Sequence, residues 1–270
     1  MMDGRKKKFI KELLEKPRLR HESGLYVVDG PKMCAEIPEE LIEEIYVSET
    51  FLSQETDEAL SRLIRGRGSQ IVSEKEMKQL SDTVTPQGIM ALCRQKRPRG
   101  LKEIIEGLKG KDRPGLLLGL ECLQDPGNMG TILRSAEAAG ADGIICDRGC
   151  ADVYAPKVVR STMGAIFRFP VLSVDDLKPA CRSLKEEGFE VLAAHLHAER
   201  EYDKADLCLP SLILIGNESR GLTEELSSEA TSLIKIPMLG KTESLNAAVA
   251  ASVLLFEAAR QRRKANGSRK

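Results

Sequence analysis

Two hydrophobic periods alternate along this chain. Short leucine-rich or β-branched runs of four to six residues, the mark of buried strands, are separated by stretches whose apolar positions recur every three or four residues, the mark of amphipathic helices. The N-terminal third predicts a basic helix at 4–16 and a polar loop at 17–24, then strands at 25–28, 44–48, 70–73 and 88–94 with helices at 57–65 and 74–80. Asp29-Gly30-Pro31 is a turn that also starts a helix, because proline suits the first helical position. The polar loop 81–87 predicts an exposed turn.

Residues 95–114 are rich in Lys, Arg, Gly and Pro and hold a weak helix at 101–108, a composition that marks a linker. After it the alternation resumes, with strands at 115–120, 143–146, 168–172, 190–195 and 212–215 and another from Ile234. Helices are predicted at 131–139, 156–163, 175–187 and 245–263. Strands separated by helices imply a parallel sheet covered on both faces. The expected architecture is α/β: a small N-terminal domain at 1–94, a linker at 95–114, a parallel-sheet domain at 115–265 and a basic tail at 266–270.

Two late stretches, Leu212–Leu222 and Ile234–Val253, pass from a strand into a loop of small and polar residues and then towards a helix. In open α/β sheets, ligands bind beyond such strand ends. Ser244 precedes the last helix and is the expected N-cap, with Asn246 in the first turn. The face Ala247, Ala248, Ala250, Ala251 and Ser252 predicts close approach of another backbone.

Composition narrows the class. No apolar run approaches a membrane span and no charged-then-apolar leader opens the chain, so a cytoplasmic protein is expected. Seven scattered cysteines without a C-x-x-C pair argue against a disulfide framework or a zinc site. Formal charge is zero but segregated: residues 1–20 and 94–113 each carry eight Lys/Arg against three Asp/Glu, and 260–270 holds six basic residues and no acidic one. Three basic stretches on an otherwise acidic body fit a phosphate backbone.

Three motif readings fail. Gly240-Lys241-Thr242 ends like a nucleotide phosphate loop, but Lys235 stands where its first glycine belongs. No G-x-G-x-x-G follows a strand, so neither a dinucleotide fold nor the common Rossmann-type methyltransferase is indicated. His195 and His197 share one face of a strand and lack a third ligand, so both are expected to be structural.

The segment Asp125–Gly140 presents a glycine-rich turn and a helix start, with Asn128 and Arg134 as directed donors. Together with Gly216–Leu222 and Ile236-Pro-Met through Ser244-Leu-Asn246, it resembles the three signature motifs of the SpoU/TrmH RNA 2′-O-ribose methyltransferases of the SPOUT superfamily. Pro156–Pro170 resembles the segment between the first two motifs, and residues 5–92 resemble, more weakly, the ribosomal-protein-like RNA-binding domain of the rRNA-acting members. The resemblance implies a parallel sheet whose C-terminal segment is threaded into a deep trefoil knot. It implies S-adenosylmethionine held by main-chain atoms around Gly216, Ile236 and Leu245, with Met238 nearby, and S-adenosylhomocysteine as product without a metal. By the same resemblance Arg134 and Asn128 act at the target nucleotide, Glu218 shapes the site, and Ser244 and Asn246 orient the reacting groups. A guanidinium stays protonated, so stabilising the developing alkoxide or a neighbouring phosphate suits Arg134 better than accepting a proton. Arg134 is implied to reach the partner's site in a homodimer. Ser219, Thr162 and Asp29 depart from the family pattern without removing a group the reaction needs.

Methylation of ribosomal RNA, large-subunit RNA first, is the leading expectation. A tRNA guanosine 2′-O-methyltransferase and a catalytically silent RNA-binding assembly factor are the alternatives; labelled-cofactor transfer to each RNA separates them.

Overall fold

The computed structural model describes residues 2–55, 57–96 and 100–267. Positions 97–99 of the basic linker and the last three residues of the tail lie outside the described residues. Two compact units form: Met1–Arg97 with Asp152–Arg168, and Pro98–Ala151 with Phe169–Lys270.

The first unit runs α1 (Gly4–Glu15), α2 (Pro17–Ser23), β1 (Leu25–Asp29), α3 (Pro31–Ala35), β2 (Ile42–Ser48), α4 (Glu49–Gln54), α5 (Glu58–Arg67), β3 (Gln70–Val72), α6 (Glu74–Leu80) and β4 (Ile89–Arg94). Its sheet has the order β1-β4-β2-β3, with β4 antiparallel to both neighbours and β3 parallel to β2. The basic helix α1 is amphipathic: Ile10 and Leu13 join Val27, Tyr46, Met77 and Leu80 in the core. Start signals are legible here, since Ser73 and Glu76 form a reciprocal capping box at α6.

The stretch 17–24, expected to be a polar loop, is the helix α2. Pro17 occupies its first turn and Gly24, at φ 65°, closes it in the left-handed region. The polarity is misleading because Arg20 is only 2% exposed. Its guanidinium donates to the Asp152 carboxylate at 2.7 Å and to the carbonyls of Leu13 and Leu14.

The second unit contains α7 (Leu101–Lys109), β5 (Leu116–Leu120), α8 (Pro126–Ala138) and β6 (Gly143–Asp147). The chain then contributes α9 (Pro156–Ser161) to the first unit and returns as β7 (Val171–Val174), α10 (Leu177–Glu186), β8 (Glu190–Ala194), β9 (Arg200–Glu201), β10 (Ser211–Ile215), α11 (Glu224–Ser227), β11 (Ser232–Lys235) and α12 (Ala247–Gly267). All seven strands are parallel, in the order β7-β6-β5-β10-β8-β11-β9. The central strands β5 and β10 are buried along their whole length, as expected of a sheet covered on both faces.

Four local expectations shift. The weak helix in the basic stretch is α7, whose Ile104, Ile105 and Leu108 pack into the second unit's core with Leu184 and Phe189. Helix α8 begins at Pro126 rather than Thr131, because the Asp125 side chain accepts from the Asn128 N–H at 2.7 Å and Pro126 needs no partner for its nitrogen. The strand expected at 168–172 is β7, at Val171–Val174. The two-residue β9 pairs with β11 and has no strand signal in the sequence.

The small face of α12 packs against α8, where Ala247, Ala248 and Ala251 are buried and the Ser252 hydroxyl lies 2.8 Å from that of Ser135. The far end of α12 is clamped. Arg262 donates to the carbonyls of Pro114, Gly115, Leu207 and Leu209, and Gln261 bonds the backbone of Ala205 and Leu207. Much of the segregated positive charge is therefore taken up within the protein.

Candidate active site

Beyond the C-terminal ends of β8, β10 and β11 lies a cavity of about 300 Å³ within the second unit. Its walls are the loop Ile215–Leu222, the loop after β11 with Ile236 and Met238, the segment Ser244–Leu245 and the first turns of α12. Gly216 is fixed by geometry: a Cβ there would stand 2.1 Å from the Gly221 carbonyl carbon and 2.2 Å from the Leu222 nitrogen. The loop is closed by paired backbone bonds between Asn217 and Gly221, at 2.9 and 3.0 Å, while the Asn217 side-chain oxygen accepts from the N–H groups of Ser219 and Arg220. Gly216, Ile236, Met238, Leu245 and Ser244 all line the cavity.

A chain of directed hydrogen bonds forms beside it. The Asn246 Oδ1 accepts from the backbone N–H groups of Ala248 at 2.9 Å and Val249 at 3.3 Å, so Asn246, not Ser244, caps α12. Backbone N–H can only donate, which fixes the amide orientation. Asn246 Nδ2 therefore donates to Asn128 Oδ1 at 2.9 Å, and Asn128 Nδ2 in turn donates to Glu218 Oε1 at 3.1 Å. Glu218 also accepts from the N–H groups of Asp125 at 3.0 Å and Gln124 at 3.3 Å.

Burial raises the Glu218 carboxyl, but the Asp125 N–H, the Asn128 amide and the Gln124 N–H outweigh it and hold the group below the ordinary carboxylate range. Glu218 is thus an anion with occupied oxygens, a poor proton acceptor and a good anchor. Each amide NH₂ has used one hydrogen, so Asn128 and Asn246 keep one donor each for a ligand.

The structure brings Asn128, Glu218 and Asn246 together and places Ser244 on the cavity wall. Arg134 is exposed on α8 and has no side-chain partner among the described residues; it does not line this cavity. His195 and His197, expected to be structural, both line it. Their signal was positional, since they stand at and just beyond the end of the strand predicted at 190–195, the place where ligands bind in such sheets. Asn217 was also missed; its Nδ2 donates to the Cys122 carbonyl at 2.8 Å and ties the Gly216 loop to the end of β5. Among the described residues, no group of three or more His, Cys, Asp or Glu side chains is arranged to hold a metal ion.

Residues 115–256 match the family model of the SpoU rRNA methylases, and residues 5–91 match the MRM3-like substrate-binding domain. An uncharacterized tRNA/rRNA methyltransferase of Synechocystis sp. is 33% identical over 193 residues, 72% of this chain and 68% of that protein. The AdoMet-bound rRNA methyltransferase of Sinorhizobium meliloti superposes with a TM-score of 0.81 at 30% identity, covering 96% of both chains. A solved RNA 2′-O ribose methyltransferase superposes with a TM-score of 0.77 at 29% identity, covering 97% of this chain and 98% of that one.

Proposed function

Because the chain belongs to the SpoU rRNA methylase family, whose model spans residues 115–256, we propose that it transfers the methyl group of S-adenosylmethionine to a ribose 2′-hydroxyl of ribosomal RNA, large-subunit RNA first. The observation that carries the activity is the relay Glu218–Asn128–Asn246, whose Glu218 lines the cavity walled by the signature loops and whose Asn246 lies between the lining residues Leu245 and Ala247.

The cavity fits the cofactor. Its volume is at the small end of ligand pockets, its walls mix apolar side chains with main chain, and the Gly216 loop leaves backbone atoms uncovered by a side chain. Gly216, Ile236, Met238 and Leu245 would hold S-adenosylmethionine, which supplies an electrophilic methyl group when bound. The chain's own task is placement. Asn128 and Asn246 present one N–H donor each from amides that cannot flip, because α12 fixes one end of the relay and Glu218 the other. Ser244, on the wall beside Leu245, offers a hydroxyl to the same space.

Arg134 completes this reading from a second copy of the chain. Its exposure on α8 and the exposed stripe Val249 and Phe256, seven residues apart on α12, support a homodimer in which the guanidinium serves the partner's site. There it stabilises the developing alkoxide or the adjoining phosphate. The deep knot belongs to the same reading, supported by the family match over residues 115–256 and by the loops after β8, β10 and β11 meeting the start of α12 at one cavity.

Ribosomal RNA is favoured over tRNA by the first unit. It matches a substrate-binding family model, and an rRNA methyltransferase is among the proteins that superpose over nearly the full length of the chain. Mapping 2′-O-methylated positions in total RNA from cells with and without this protein tests the assignment. One missing rRNA mark is the expected result; a missing mark in tRNA alone overturns the substrate, and no missing mark overturns the activity.

A further inference from the structure

The two histidines that the sequence marks as structural stand on the cavity wall, and their geometry gives one of them a defined chemical form. His195 follows β8, and its backbone N–H continues the sheet by donating to the Ile234 carbonyl at 2.9 Å. The chain then turns, and the His197 backbone N–H donates to His195 Nδ1 at 3.2 Å. An imidazole nitrogen that accepts from a backbone N–H carries no proton. His195 is therefore held as the tautomer with its proton on Nε2, and Nε2–H is its one ring group left to serve a ligand. No partner holds that group among the described residues.

We propose that His195 Nε2–H is a binding donor for the nucleoside half of S-adenosylmethionine. The inference rests on the proposed cofactor site and adds a polar side-chain contact to a cavity whose walls mix apolar side chains with main chain. The half is chosen from the surroundings. His195 lies beside Ala194 and Ile234, which suit an adenine face, whereas the charged Glu218 and Arg220 belong to the Gly216–Leu222 loop. A neutral donor next to apolar walls recognises a ring nitrogen or ribose oxygen without demanding a charge. His197 gives its backbone N–H to His195 Nδ1 and sets its ring, tilted, 5.7 Å from that of His195, and so is a positioning residue.

Two substitutions separate donor from scaffold. His195→Asn keeps an acceptor near Nδ1 for the His197 N–H but removes the distal donor, while His195→Gln places an amide N–H near the Nε2 position. Titration calorimetry with S-adenosylmethionine is expected to show about tenfold weaker binding for His195→Asn, the worth of one hydrogen bond, and about threefold or less for His195→Gln. With 5′-methylthioadenosine, which lacks the amino-acid tail, the His195→Asn loss is expected to persist. In the ¹⁵N spectrum of histidine-labelled wild type, the Nε2–H signal of the neutral tautomer should move on cofactor addition. Wild-type affinity in His195→Asn, or loss confined to the full cofactor, overturns the proposal and leaves the methyltransferase reading intact. Failure of the wild type to bind S-adenosylmethionine overturns that reading instead.

Discussion

Asp142 and Glu218 are both carboxylates of the second unit that collect donors from distant stretches of chain. The Asp142 side chain is 1% exposed and accepts from Arg113 at 2.6 and 3.0 Å, from Lys111 at 2.5 Å and from the Leu116 N–H at 2.8 Å. None of these residues lines the cavity described above, and the carboxylate is saturated. Glu218 lines the cavity, and in the relay it anchors, Asn128, which donates to it, and Asn246, which donates to Asn128, each keep an unused N–H. A closed network fixes the start of β5, whereas an open one leaves directed donors for a ligand. Completeness of hydrogen bonding, more than charge or burial, separates the two.

The closed network should show its worth in stability. Asp142→Ala leaves the buried Leu116 N–H and two cations without their acceptor, and should cost about 3 kcal/mol in denaturant unfolding. S-adenosylmethionine affinity at low temperature should stay at the wild-type value. A loss below about 1 kcal/mol would place Asp142 with the surface ion pairs and dissolve the contrast.

The open network should show its worth in turnover. Asn246→Ala removes a fixed donor and the cap of α12, and kcat/KM should fall about a hundredfold, near 2.7 kcal/mol of transition-state stabilisation. Calorimetry on the same variant should find cofactor binding within a fewfold of wild type. Mixed with Arg134→Ala subunits, equally inactive alone, it should recover about a quarter of wild-type activity, because in half of a random set of twofold dimers one site is whole. No recovery would mean that Arg134 serves its own chain.

How much of this was legible beforehand depends on how local the cause is. Element types followed from periodicity, as at the helix 74–80, because it depends on residues within a turn or two of one another. Arg20 shows the opposite case. A helix rich in Arg, His and Glu looks like a loop until Asp152, more than a hundred residues away, gives the guanidinium a buried partner. The cap of α12 failed for a nearer reason: Ser244 and Asn246 both suit a helix start, and the choice was made by Asn128 across the site. The motif glycine at 216 was recognisable as a motif, but its necessity, a backbone approach that no side chain permits, is a fact of three dimensions.

Charge behaves similarly. Lys6 and Lys7 of α1 pair with Glu44 and Glu76, and Arg20 is internal, whereas Arg5, Lys8 and Lys11 are exposed without an ion pair among the described residues. Removing the whole N-terminal stretch would also remove Ile10 and Leu13 from the core, so a truncation would test folding rather than RNA contact. The triple change of Arg5, Lys8 and Lys11 to Gln isolates the charge. RNA affinity at moderate salt should weaken about tenfold, and the slope of log K against log salt should become shallower by about 2. An unchanged slope would assign the RNA surface elsewhere.

The smallest effect concerns the charge state of Glu218. Its hydrogen bonds hold the folded-state carboxyl below its ordinary value of 4.5, so its contribution to stability is complete above that pH and disappears as pH falls below it. Glu218→Gln lacks this term while keeping an acceptor oxygen for Asn128. Acidification from pH 6 towards 3.5 should therefore narrow the stability gap between wild type and variant by less than about 1 kcal/mol, because the group is partly open to solvent. Glu229 and Glu257, whose carboxyls are lowered by Arg182 and Arg260, titrate in both proteins and cancel in the difference. A gap that widens on acidification would mean that Glu218 is protonated in the folded protein, and the relay would then present a hydroxyl donor to Asn128 in place of an anion.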